Sequence, residues 1–303
     1  MINFKVKYLK YKNKYLQLKN QFGGKGECTA TLKGHSRYVT SVAFHPTASF
    51  LATGSFDNTA KLWSFLPDGS KVACVATLEG HSSHVSSVAF HPTAPFLATG
   101  SYDKTAKLWS FSPDGSTPTC VATLEGHTKF VRSVAFHPTT LLLATGSDDN
   151  TAKLWSFLPD GSKATCVATL AGHTKDVYSV AFHPTASLLA TGSSDNTAKL
   201  WHFSPDGATA TCVANLKGHT DNVWSVAFHP KKPLLATGSQ DNTAKLWRFS
   251  DDGSMVTCET TLEGHEYGIH SVAFCPTVPL LATGAGDMTA KLWSLTQLLE
   301  KLK

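Results

Sequence analysis

No run in the 303 residues approaches the 18 or so consecutive apolar positions of a membrane-spanning helix, although hydrophobic residues make up 42% of the chain. The opening MINFKVKYLKYKNKYLQLKNQ carries Lys every two to five residues and lacks the apolar core of a secretory leader. A Walker loop, an HExxH helix, a CxxC pair and a GxSxG nucleophile elbow are also missing. These absences lead to the expectation of an intracellular protein, cytoplasmic or nuclear, with no cofactor, no metal and no enzymatic activity.

Basic charge is equally scarce in the body of the chain. The net charge is +5, but residues 1–25 hold seven Lys and no acid, which leaves the rest close to −2. A nucleic-acid footprint needs basic residues over one face of the folded body, so nucleic acid is not expected as a partner.

The dominant positive feature is a period of 46 residues. Gly-His pairs place His35, His81, His127, His173, His219 and His265 at that interval. The tryptophan closing AKLW recurs as Trp63, Trp109, Trp155, Trp201, Trp247 and Trp293. A fixed period means one supersecondary unit, repeated. Six of seven cysteines obey it too: Cys28, Cys74, Cys120, Cys166, Cys212 and Cys258. On separate units they are too far apart for disulfides, and they read as small, partly buried apolar residues of a reducing compartment.

Each unit contains four short β-patterned runs. In the second these are VSSVAF (85–90), PFLATGS (95–101), TAKLWSF (105–111) and CVATLE (120–125), with turn signals between them. No unit has ten residues of helical pattern. Runs such as VAF and LLATG are apolar on both faces, so sheets must stack face to face, and stacking around an axis makes a β-propeller.

Residues 1–22 differ. Tyr8, Tyr11, Tyr15, Leu18 and Phe22 step by three and four, with Lys on the other faces, as in an amphipathic helix ended by Gly23 and Gly24. An exposed helical arm is the simplest reading. Self-association through residues 4–22, an acidic partner and an anionic membrane surface are the alternatives.

The words GH, SVAFHP and LATGSxDxTAKLW, repeated six times over residues 27–297 with Cys275 and Ala285 as departures in the sixth copy, resemble the WD-repeat family. The Asp expected after each tryptophan is instead Ser64, Ser110, Ser156, His202, Arg248 or Ser294. The resemblance implies an all-β, six-bladed propeller over residues 26–298, preceded by the arm at 1–25 and followed by a tail at 299–303. Strand order implies closure of the ring by pairing residues 27–33 with 289–295, which covers two strand edges. The Lys-, Tyr- and Leu-rich start resembles those of giant DNA virus proteins.

Every unit also presents Ser, Asp and His, for example Ser55, Asp57 and His35. Six identical sites without an exposed nucleophile argue for structure and not for a hydrolase. The family resemblance implies a buried hydrogen-bonded chain of His, Ser, Asp and Trp in each blade. By position these are His35, Ser55, Asp57 and Trp63; His81, Ser101, Asp103 and Trp109; His127, Ser147, Asp149 and Trp155. Blades 4 and 5 supply His173, Ser193, Asp195 and Trp201, then His219, Ser239, Asp241 and Trp247. The sixth keeps His265, Asp287 and Trp293 but has Ala285 in place of Ser, and is therefore expected to be the loosest. A second ring, His45, His91, His137, His183 and His229 with Cys275, is too wide to grip a metal, since sheets stack about 10 Å apart and zinc ligands lie near 2.1 Å.

A few positions differ sharply between otherwise faithful copies. They supply Arg37, Tyr38, Phe56, His84, Tyr102, Lys129, Phe130, Arg132, Asp148, Lys175, Tyr178, Asp221, Trp224, Gln240, Tyr267 and His270. The resemblance maps them to one rim of the propeller, where the family binds peptides, and their aromatic and Arg content suits an interface hot spot. The expected function is a non-enzymatic scaffold for a protein or peptide. An assembly protein working through the amino-terminal arm is the alternative. A propeller-fold enzyme is a third reading, with Asp148, Asp176, Asp221 and His270 as its only candidates.

Overall fold

The computed structural model describes residues 28, 30–66, 69, 71–112, 114–115 and 117–301; the arm expected at residues 4–22 lies outside them. Among the described residues the chain forms six antiparallel sheets and one short helix, Thr296–Lys301. In blade 1 the strands Val39–Phe44, Phe50–Ser55, Ala60–Phe65 and Val72–Leu78 pair in chain order. Four further blades repeat this meander, while blade 6 has three strands, Ile269–Phe274, Leu280–Ala285 and Ala290–Ser294.

The turn between second and third strands has one residue in the left-handed region. Asn58, Asn150, Asn196 and Asn242 fill it with φ between 67° and 69°, as Asn tolerates that conformation. Lys104 (φ 73°) and Met288 (φ 63°) hold the same place without that tolerance.

The apolar core lies between sheets and not within them. Leu142, Leu154 and Leu170 of blade 3 pack against Val177, Val180, Phe182, Trp201 and Phe203 of blade 4. The Gly of LATG makes this approach possible: a Cβ on Gly146 would lie 3.0 Å from methyls of both Val177 and Val180. One polar bolt crosses each junction. Val88, Val134, Val180, Val226 and Val272 donate their backbone N–H to Ser41, Ser87, Ser133, Ser179 and Ser225 at 3.1–3.3 Å.

Five such junctions are formed. Blade 6 makes no comparable packing contact with blade 1. The outer flanks are therefore bare: Val42 is 64% exposed where its counterpart Val134 is 6%, and Leu292 is 73% exposed where Leu154 is 0%. Residues 28 and 30–33 form no strand, so the expected pairing with 289–295 is not made among the described residues. Strand order specifies which edges match; it does not specify the curvature that brings them together.

Two further expectations need correction. The six periodic cysteines are exposed, and five of them, Cys74 to Cys258, are so because the fourth strand is the outer edge of its sheet. The tail expected at 299–303 begins in packed structure: Leu295 is buried, and Leu298 and Leu299 of the short helix join the last core cluster.

Candidate functional site

Each blade carries a hydrogen-bonded chain, but its link is not the residue expected. In blade 2 the indole N–H of Trp109 donates to Thr99 Oγ1 (2.9 Å), which contacts His81 Nε2 (2.7 Å), and His81 Nδ1 meets Asp103 Oδ2 (2.7 Å). With Nδ1 carrying the proton, every donor along this chain finds one acceptor. Ser101 stands beside it, accepting from the backbone N–H of Asp103 and donating to the carbonyl of Ser83, both at 3.0 Å. The linking residues are Thr53, Thr99, Thr145, Thr191, Thr237 and Thr283. The Thr of LATG recurs in all six copies ten residues before the tryptophan, and that regularity was the available signal.

Blade 6 accordingly keeps its whole chain, through His265, Asp287, Thr283 and Trp293. Ala285 costs it only the serine that caps the Asp backbone, so the missing Ser is not where that blade is weakened. Burial works against ionisation of the six turn aspartates. Hydrogen bonds from Thr and His side chains and from backbone N–H groups outweigh it, and hold the carboxyls well below the usual carboxylate range.

The second histidine ring is also structural. His91 Nδ1 accepts from the backbone N–H of Thr93 (3.2 Å) and Ala94 (2.9 Å), and its ring meets Phe136 of the next blade edge-on at 5.1 Å. His45, His137, His183 and His229 meet Phe90, Phe182, Phe228 and Phe274 in the same way at 5.0–5.1 Å. No group of three or more His, Cys, Asp or Glu among the described residues is arranged to hold a metal ion.

The unit-to-unit variable positions share one rim. In every blade a backbone bond ties two of them: Phe56 to Tyr38, Tyr102 to His84, Asp148 to Phe130, Ser194 to Asp176, Gln240 to Asn222, Gly286 to Gly268, at 2.9–3.0 Å. Side chains then bridge the blades. Tyr38 meets Phe56 edge-on (6.1 Å), Phe56 stacks on His84 (4.3 Å), His84 meets Tyr102 (5.6 Å) and Tyr102 stacks on Phe130 (4.5 Å).

Arg132 ends this run. Its guanidinium lies 4.6 Å from the Tyr102 ring centre and 5.7 Å from that of Tyr178. It donates to the Tyr102 hydroxyl and forms a bidentate pair with Asp148 at 2.7 and 2.6 Å. Burial, then the neighbouring Asp148, pushes the carboxyl of Asp176 up, and burial followed by Asp176 pushes up the Tyr178 phenol.

On the far side Trp224 stacks on His270 (4.2 Å). A Cβ on Gly268 would lie 2.8 Å from the Trp224 ring, so glycine keeps that place clear. Tyr267 stands exposed beside them. Asp221 caps the N–H of Asn222 (2.7 Å), and Gln240 backs Gly268, whereas Arg37, Lys129 and Lys175 point into solvent. Of the four acid–base candidates, Asp148 pairs with Arg132 and acts on the neighbouring Asp176, while His270 lies against Trp224.

The profile of the family described as "WD domain, G-beta repeat" matches residues 26–64, 72–110, 118–156, 164–202, 210–248 and 256–294. The chain belongs to the WD-repeat family. Each matched segment holds the first three strands of one blade of this WD-repeat propeller, preceded in the second to sixth segments by the fourth strand of the blade before. The chain is also similar to the nuclear distribution protein PAC1 of Gibberella zeae, 39% identical over 49 residues. That likeness spans 16% of this chain and 11% of the fungal protein, about one repeat. No helix among the described residues is long and apolar enough to cross a membrane.

Proposed function

We propose that this WD-repeat protein is a non-enzymatic scaffold that holds a peptide or protein on the rim carrying Tyr38, Phe56, His84, Tyr102, Phe130 and Arg132. The observation that supports this is the continuity of that run: five rings and a guanidinium in successive contact across three blades. Tyr, Phe and Arg held in place before binding give a partner apolar area without an ordering cost. Trp224 and His270 supply a second anchor on the same rim. An intracellular setting, in cytoplasm or nucleus, fits such a scaffold and the seven free thiols.

The test is selection of displayed random peptides on the wild-type protein, followed by binding of the selected peptides to a Phe130→Ala/Trp224→Ala variant. Loss of an anchor of about 2 kcal/mol weakens binding about thirtyfold. The variant should melt within a few degrees of wild type. Equal binding to both proteins would remove the rim from the account.

A further inference from the structure

The turn joining the first two strands of blade 5, Val223–Phe228 and Leu234–Ser239, breaks the repeat. The other copies read His-Pro-Thr or Cys-Pro-Thr at this place, whereas the fifth reads His-Pro-Lys-Lys-Pro. Lys231 and Lys232 thus stand between Pro230 and Pro233, at the opposite end of the strand from Trp224 and the rim. A cleft opens on each side of them. One, of about 470 Å³, is shared with blade 4 and lined by His183, Phe249, Asp251 and both lysines. The other, of about 190 Å³, is shared with blade 6 and lined by His229, Val278, Leu299 and the same lysines.

Both clefts present donors that lack acceptors. His183 Nδ1 accepts the backbone N–H groups of Thr185 (3.2 Å) and Ala186 (2.8 Å), and His229 Nδ1 accepts those of Lys231 and Lys232 (both 3.0 Å). Burial disfavours a doubly protonated ring at both, and the two lysines add to the effect at His229, which is only 8% exposed. The single ring proton is therefore on Nε2, and neither Nε2–H has a hydrogen-bond acceptor among the described residues. Neither lysine forms an ion pair among them. Asp251 is the one carboxylate lining either cleft, so the two together carry an excess of donors and of positive charge.

We infer that this turn and its two clefts dock an acidic segment of a partner protein, with one carboxylate entering each cleft and an apolar side chain lying over the prolines between them. Each carboxylate accepts from a lysine ammonium and from a histidine Nε2–H, and such charge-assisted bonds are the strong ones. Phe249 in one cleft, and Val278 and Leu299 in the other, give the apolar groups of the segment a wall to lie against. A nucleic acid fits less well. Two lysines, with Asp251 in the same cleft and Asp252 after it, do not make the basic stripe that a run of phosphates needs. The length of the first strand separates this surface from the rim, so each binds without the other.

The test selects displayed random decapeptides on the full chain and counter-selects them on a Lys231→Glu/Lys232→Glu variant. Peptides that distinguish the two proteins should carry at least two Asp or Glu around an apolar residue. Their Kd should rise about tenfold or more in that variant and about threefold or more in Lys231→Gln/Lys232→Gln. It should stay unchanged in Phe130→Ala/Trp224→Ala, which separates this surface from the rim. Carbodiimide coupling of a selected peptide to the wild type should join its carboxylate to Lys231 or Lys232. Coupling to Lys129 or Lys175 instead would overturn the inference, as would the absence of any peptide that tells the two proteins apart. A single-stranded oligonucleotide that binds as tightly as the peptides, with the same loss on charge reversal, would also overturn it, in favour of a general polyanion surface.

Discussion

The Thr99 hydroxyl sits 2.9 Å from the indole nitrogen of Trp109 and 2.7 Å from Nε2 of His81, so one oxygen ties the third strand of its blade to the loop entering it. Thr99 is fully buried, and both neighbours depend on it. Thr99→Val keeps the shape and strands both, at a cost of about 1–3 kcal/mol each for a buried polar group left unmade. Ser101→Ala should cost less, about 0.5–1.5 kcal/mol for each of the two ordinary hydrogen bonds its hydroxyl makes. Urea unfolding of the two variants checks the order, and a larger loss at Ser101 would return the serine to the centre of the network.

Acid should act on this fold in two stages. Burial lowers the affinity of His45, His91, His137, His183 and His229 for a proton below its ordinary value. A folded-state value below the unfolded one means stability is fully present above about pH 6.5 and is lost as pH falls through the folded value. The turn aspartates have the same sign at lower pH, with stability present above about pH 4 and lost only in strong acid. The melting temperature should therefore decline between pH 7.5 and 5, then again below pH 3. His91→Asn, which keeps an acceptor for the two backbone N–H groups but does not titrate, should flatten the first decline.

Lys104 occupies the left-handed position at φ 73° where four other blades have asparagine. Lys104→Asn should stabilise by about 1 kcal/mol through relief of that conformation. It also offers an Nδ2 donor to the carbonyl of Thr128, in the manner of Asn150 toward Thr174. Thermal unfolding reads the gain, and a decrease in melting temperature would contradict it.

Gly146→Ala should be among the harshest small substitutions in the chain. The new methyl lies 3.0 Å from Val177 and Val180 side chains and 3.2 Å from the Val177 carbonyl oxygen, so two sheets must move apart. Overpacking of this kind costs about 1–3 kcal/mol. Chemical denaturation measures it.

Much of this molecule was legible before any coordinates. A period of 46 residues with four β runs per copy determines the number of sheets and the order of strands. Their patterning is local, and apolar residues on both faces require neighbours on both sides. The positions at which the copies differ were legible too, and Tyr102, Phe130, Arg132 and Trp224 stand out against invariant surroundings. The linking threonine is not legible in the same way, because its regular recurrence does not say which way its side chain faces, and only the fold shows that Thr99 faces Trp109 and His81. Tertiary structure alone decided that Arg132 is held by Asp148, that Trp224 stacks on His270, and that Leu295–Leu299 cap the last core. It also decided that Val42 and Leu292 lie bare. Which surfaces match is written in side-chain order, but whether they meet depends on a small rotation accumulated over five junctions, and no local pattern encodes that sum.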